Sequence, residues 1–326
     1  MKKKNNNNAE HTSLYETINI QDIDGLRIGN AQNEKAKTGV TVLLFDHGAK
    51  VGIDVSGGGP ASRETYLADP MTADVPIHAI MLSGGSAYGL SAADGIMKYL
   101  EENDYGYDTG YAKVPLVCGS CIYDLGIGST KIRPDSDMGY AACQDAEKNK
   151  PQSGNYGAGC GATVGKIKGM EYSSNSGLGI YAVQLGKLKM AAVVVVNALG
   201  DIYDPETGKE IAGLKNEDGS KLIDTRTELY KISEKTDMFT GTTTNTTIGA
   251  IITNGKFSKA EMNKIASMTR NAYARCINPV GTLADGDTIY AVSIGNIDSD
   301  INVAGSLAAD VMAKAIVNAI ESSKEK

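Results

Sequence analysis

Short apolar runs separated by glycine and polar clusters recur along this 326-residue chain. The runs at 38–45, 50–55 and 78–82 are rich in Val, Ile and Leu and have the length of buried strands. The stretch 86–102 places Ala, Leu, Ile and Met on one helical face. Residues 181–184 and 190–197 read as a hairpin through Gly186-Lys187-Leu188. The segment 203–225 is polar, carries Pro205, Gly208 and Gly219, and predicts a surface excursion. Thr-rich 236–245 predicts an exposed loop, followed by a strand at 246–253 and a helix at 258–274. A strand at 287–294 and an amphipathic helix at 301–322 close the chain. Residues 1–18 predict a disordered lead-in. No repeat or linker divides 19–326, so one mixed α/β domain is expected.

Composition narrows the function classes. With no Trp and 3 Phe, the core must be built from Ala, Val, Ile and Leu. A net charge of −7 supplies no basic face, so nucleic acid is not an expected partner. The lysines and asparagines of residues 2–8 precede no apolar segment, which predicts no signal peptide. The longest apolar run, 190–196, is far short of the ~20 residues that span a bilayer, so no membrane association is expected. Five Cys, an odd number, suit reduced thiols and a cytoplasmic location.

Two segments carry candidate chemistry. In Asn245-Thr246-Thr247-Ile248-Gly249 a hydroxyl follows an Asn at the start of a strand. A hydroxyl just after a peptide bond can attack that bond's carbonyl, and a threonine freed this way holds nucleophile and base on one residue. The same segment also reads as plain β-prone sequence. In Asp285-Gly286-Asp287, two carboxylates share a turn. They read either as solvated turn residues or as a pair whose proton affinities are pushed apart, suited to proton transfer.

Further blocks extend the pattern: Asp24-Gly25-Leu26-Arg27-Ile28-Gly29-Asn30, Thr38-Gly39-Val40-Thr41-Val42, Gly58-Gly59-Pro60-Ala61-Ser62-Arg63-Glu64-Thr65, and His78 through Leu90 with Ser83-Gly84-Gly85-Ser86-Ala87-Tyr88. Ile122-Tyr123-Asp124-Leu125, Gly157 through Lys166, and Asn197-Ala198-Leu199-Gly200-Asp201 follow. Together, in this order from about residue 20 to about 320, they resemble the P1 peptidase family (S58). That family includes L-aminopeptidase/D-esterases, β-peptidyl aminopeptidases and nylon-oligomer hydrolases. The resemblance implies a four-layer α/β/β/α sandwich similar to N-terminal-nucleophile hydrolases but with its own topology. It also implies autocleavage into an α chain, 1–245, and a β chain, 246–326, assembly as a tetramer of αβ units, and no cofactor or metal. The implied substrate is a short peptide or amide. The implied catalytic residues are Thr246, Asp285, Asp287, Asn197, Lys166 and Tyr123. Asn197 would donate to the oxyanion, Tyr123 would contact the substrate amide or the nucleophile, and Lys166 would hold a carboxylate or the oxyanion. The Thr with Asp-Gly-Asp is more similar to the nylon-oligomer branch than to the aminopeptidases, many of which have Ser at the nucleophile. Gly85, Ser86 and Tyr88 are expected in the substrate wall.

Other signals lead elsewhere. Cys118-Gly119-Ser120-Cys121 has zinc spacing but no second Cys pair. Gly157–Lys166 fails the phosphate-loop pattern, because Cys160 stands at its first Gly and Ile167 at its Ser/Thr. Ser86 lacks the last Gly of a nucleophile elbow, since Tyr88 stands there, and reads as a helix N-cap or pocket wall. His78 reads as structural. The competing functions are an unprocessed serine hydrolase using Ser86, an acyltransferase, and a non-catalytic member of the same fold.

Overall fold

The computed structural model describes residues 14–232 and 245–324. Its centre is the Thr38–Val55 strand, which joins two sheets. The expected strands 38–45 and 50–55 are thus one strand, interrupted in register between Leu44 and Ala49, where Gly48 has φ 71°. The first half pairs with Leu26–Asn33 and Ile77–Ser83. The second half pairs with Thr288–Ile297, which runs parallel to Thr246–Gly255. Beyond Thr246–Gly255 lies the hairpin Leu188–Asn197 and Leu178–Leu185, closed at Leu185↔Leu188.

The two sheets pack face to face over Leu43, Ile80, Leu82, Val193, Val195, Ile248, Ile252 and Tyr290. Helices α1 (Ala92–Glu102) and α2 (Ser136–Ala146) cover the outer face of one sheet. After the short helix α3 (Thr225–Tyr230), helices α4 (Lys259–Cys276) and α5 (Ile301–Glu321) cover the outer face of the other. This is the α/β/β/α sandwich. Glycine lets the layers meet: a Cβ at Gly52 would lie 2.1 Å from Asn263 N on α4, and one at Gly179 would lie 1.9 Å from Ala315 O on α5. Ser258 and Glu261 form the capping box that starts α4, and Asp300 caps α5. Helix α5 is long and apolar enough by composition to cross a bilayer, but it is mostly buried against the sheet and α4.

Four expectations change. Glu16–Thr17 is a strand paired with Val183 and Gln184, so the lead-in ends before residue 18, and residues 1–13 lie outside the described residues. The segment 86–102 is a 3-10 turn, Ser86–Ser91, followed by α1. Positive φ at Gly85 and Ser86 (80° and 56°) turns the chain before α1 starts, and Ser86 is not a helix N-cap. The 203–225 excursion is anchored: Leu214 and Thr225 are fully buried, and Asp201–Tyr203 pairs with both Glu210–Ala212 and Ile277–Asn278. Of the predicted loop 236–245, only Asn245 is described, and it is buried in a bridge to Asp285.

Candidate active site

Sheet register assembles the site. Thr246 stands opposite Asn197 in the antiparallel ladder. On its other side the parallel ladder sets Ile248 against Thr288, which brings Asp287 alongside Thr247. The Thr247 N–H donates to Asp287 Oδ1 at 2.6 Å, and the Gly281 N–H donates to Asp287 Oδ2 at 3.0 Å. Asp285 Oδ2 accepts from the Thr282 N–H and hydroxyl at 2.8 and 2.6 Å. Each carboxylate is therefore fixed by donors of its own turn or of the neighbouring strand.

The peptide between Asn245 and Thr246 is gripped at its carbonyl. That oxygen accepts the Gly286 N–H at 2.9 Å and also the Thr246 hydroxyl. The Asn245 N–H donates to the Ala284 carbonyl at 3.2 Å. Asn245 and Thr246 are 1% and 5% exposed, so both sides of this peptide are buried. The Asn245 side-chain amide has no partner among the described residues.

Lys166, which the resemblance implicates, is fully buried. Its Nζ donates to Asn197 Oδ1 at 2.8 Å and to the Asn197 carbonyl at 2.9 Å. Asn197 Oδ1 also accepts the Thr163 N–H, and its Nδ2 donates to the Tyr123 carbonyl at 3.0 Å. One N–H of the Asn197 amide is thus bonded to Tyr123, which joins the network through its backbone carbonyl.

Electrostatics follow from burial. Desolvation pulls Lys166 down to about 7, against the pull of Asp285, Asp124 and Asp287 in the other direction. Desolvation raises Asp285, and desolvation with repulsion from Asp285 raises Asp287. A low-dielectric pocket with three carboxylates and one amine favours neutral forms and shared protons over four fixed charges.

Asp124 is the residue that sequence reasoning missed. It is buried, its Oδ1 accepts the Gly85 N–H at 2.7 Å, and it faces Lys166 electrostatically. It links Gly85 to the Tyr123–Asn197–Lys166 network. The available signal was an Asp next to Tyr123, directly after a buried strand. Ser86 and Tyr88, expected in a substrate wall, lie in the 3-10 turn after Gly85 and make no hydrogen bond to Thr246. Among the described residues, no histidine hydrogen-bonds Ser86. His78 Nδ1 accepts the Leu116 N–H at 3.1 Å, a structural role. The cavities of about 670 and 900 Å³, lined by residues such as Lys50 and Glu261 or Tyr15 and Asp310, include none of the site residues. The described residues hold no group of His, Cys, Asp and Glu arranged for a metal.

The four-layer sandwich that holds this buried Thr, Lys, Asn and Asp cluster has the fold of N-terminal-nucleophile hydrolases. The chain belongs to peptidase family S58, whose model matches residues 19–325. It is 33% identical to an uncharacterised aminopeptidase of Mycobacterium leprae, over 92% of this chain and 89% of that protein. It is 34% identical to a 6-aminohexanoate-oligomer endohydrolase of Paenarthrobacter ureafaciens, over 85% of this chain and 75% of that one. Among solved structures, the L-aminopeptidase D-Ala-esterase/amidase of Ochrobactrum anthropi shares the fold at a TM-score of 0.64 and 16% identity, over 93% and 85% of the two chains. A β-aminopeptidase of Burkholderia sp. does so at 0.63 and 17%, over 91% and 84%. The chain is an enzyme of this family.

Proposed function

We propose that the enzyme cuts its own Asn245–Thr246 bond and then uses Thr246 as an N-terminal nucleophile on short peptides or linear ω-amino-acid amides. The observation that carries this reading is the grip on the Asn245 carbonyl by the Gly286 N–H, with the Thr246 hydroxyl on the same oxygen. In the self-cleavage step, Oγ1 of Thr246 attacks the Asn245 carbonyl carbon and the C–N bond breaks. The amide nitrogen takes the proton, and an ester joins Asn245 to Oγ1. Water hydrolyses that ester, leaving a carboxylate on Asn245 and a free α-amine on Thr246.

In turnover, the α-amine accepts the Thr246 hydroxyl proton as Oγ1 attacks a substrate amide. The amine product leaves, and water releases the acyl group. Asp285 and Asp287 position the new terminus. Lys166 and Asn197 stabilise the oxyanion once departure of the Asn245 segment opens the site. The resemblance to 6-aminohexanoate-oligomer endohydrolases and to aminopeptidases supports both substrate classes. Assembly as a tetramer of αβ units and a cytoplasmic location belong to the same proposal.

The test is intact-mass analysis of wild type beside Thr246→Ala. Two fragments meeting at the 245/246 bond in wild type, and one intact chain in the variant, are expected. Full amidase activity in a continuous chain would falsify the reading.

A further inference from the structure

Six arginines occur in the sequence. Five of them, Arg27, Arg63, Arg226, Arg270 and Arg275, pair with carboxylates. Arg133 alone has no carboxylate partner among the described residues. It is also not loose. Its guanidinium carbon lies 3.8 Å from the centre of the Tyr88 ring, and its Nε donates to the Thr130 carbonyl at 2.9 Å. Stacking fixes the plane of the guanidinium and the Nε bond fixes its rotation, so the two Nη groups form a pre-oriented donor edge. The residue is half-buried, which weakens solvent screening.

Its place in the fold matters as much. A Cβ on Gly85 would lie 3.4 Å from Arg133 Cβ and 2.8 Å from Pro134 Cδ, so Arg133 packs directly against Gly85, which is expected in the substrate wall. Through Gly85 and Asp124 that wall is bonded to the Tyr123–Asn197–Lys166 network beside Thr246. The nearest acidic residue in sequence, Asp135, is engaged in capping α2 through the Met138 N–H at 3.0 Å. A held, unpaired guanidinium at the wall of a site rich in carboxylates, in a protein of net charge −7, matches one ligand group: a carboxylate taken in bidentate geometry.

We infer that Arg133, held on Tyr88, is a subsite for the terminal carboxylate on the leaving half of the substrate. The favoured substrates are then linear amides that end in a free acid. This rests on the amidohydrolase reading and on Gly85–Tyr88 being the substrate wall. Such a subsite adds binding to the half of the substrate that departs as an amino acid, and its product inhibits as a carboxylate.

The test compares a linear ω-amino-acid dimer with its C-terminal carboxamide, in wild type, Arg133→Gln, Arg133→Lys and Tyr88→Ala. Wild type is expected to favour the free acid in kcat/KM on the order of 10- to 100-fold, the range of a charged hydrogen-bonded contact. In Arg133→Gln the ratio falls to about one, chiefly through KM. Arg133→Lys keeps the charge without the fork and recovers part of the ratio. Tyr88→Ala lowers it by freeing the guanidinium. Equal use of both substrates by wild type, or an unchanged ratio in Arg133→Gln, overturns the subsite. If wild type hydrolyses neither dimer, the amidohydrolase reading fails instead. Calorimetric titration of the free ω-amino acid into wild type and Arg133→Gln then decides the subsite alone: binding lost in the variant supports it, and binding equal in both, or absent from both, overturns it.

Discussion

The backbone N–H of Gly286 lies 2.9 Å from the carbonyl oxygen of Asn245, the bond at which the chain is proposed to cut itself. Gly286 sits between the two carboxylates of Asp285-Gly286-Asp287, so one turn both polarises the carbonyl and carries the acidic pair. A donor already aimed at the oxygen that gains charge needs no reorganisation during attack.

Gly286 must stay small for this to work. A Cβ there would lie 2.8 Å from Thr246 Oγ1 and 2.9 Å from the Gly59 carbonyl. Gly286→Ala is expected to push the hydroxyl off the carbonyl and slow self-cleavage by about 100-fold, the usual cost of misplacing a reacting atom by about 1 Å. Timed denaturing gels of freshly translated protein would measure it. Cleavage at the wild-type rate would show that this turn does not govern the reaction.

Lys166 predicts the shape of the pH profile. Held at about 7 by burial, it loses its charge as pH rises through neutrality. The oxyanion-stabilising role proposed for it needs the charged form, so this contribution is largest below that pH and declines above it. The α-amine that the proposed cleavage would free on Thr246 acts the opposite way, its unprotonated fraction growing as pH approaches ~8. A bell-shaped kcat near neutrality follows, and because Asp285 and Asp287 titrate with Lys166, its limbs belong to the cluster. Lys166→Arg keeps its charge and is expected to move the alkaline limb upward. Activity from pH 5.5 to 9.5, with a melting curve as control, tests it. A wild-type rate still climbing at the alkaline end would remove Lys166 from this role.

Asp201 predicts a stability effect away from the chemistry. Its carboxylate is buried and accepts from the Leu214 N–H at 2.8 Å, the Thr225 N–H at 2.6 Å and the Thr225 hydroxyl at 2.6 Å. It therefore ties the 210–225 arm to the strand connection that follows Asn197. Asp201→Ala leaves those donors buried and unpaired, a loss on the order of 2–4 kcal/mol. Urea unfolding would measure the loss, and hydrogen exchange would place it in residues 210–230. A variant as stable as wild type would mean that the arm is held by other contacts.

The strands around residues 38–55, 188–197 and 246–255 were legible because a buried strand needs a run of apolar residues wherever it pairs. Helix α4 was legible as a helix at 258–274. Thr246 and the Asp-Gly-Asp turn stood out by residue type and family resemblance. The break at Gly85 and Ser86 was hidden, because a serine in left-handed backbone has no compositional mark. The anchoring of 203–225 was hidden too, since it rests on the Leu214 N–H and on Thr225 bonding to the distant Asp201.

By itself, the sequence determined which segments must be buried and which residues carry reactive groups, since both follow from local side-chain chemistry. Tertiary structure alone decided that Lys166 is sealed from water, that Asn197 is turned toward Tyr123, that Asp124 joins the site, and that Arg133 keeps an unpaired donor edge. These are long-range outcomes: the charge and reach of a polar group depend on what the fold lays over it, and the chain near each residue carries no record of those distant neighbours.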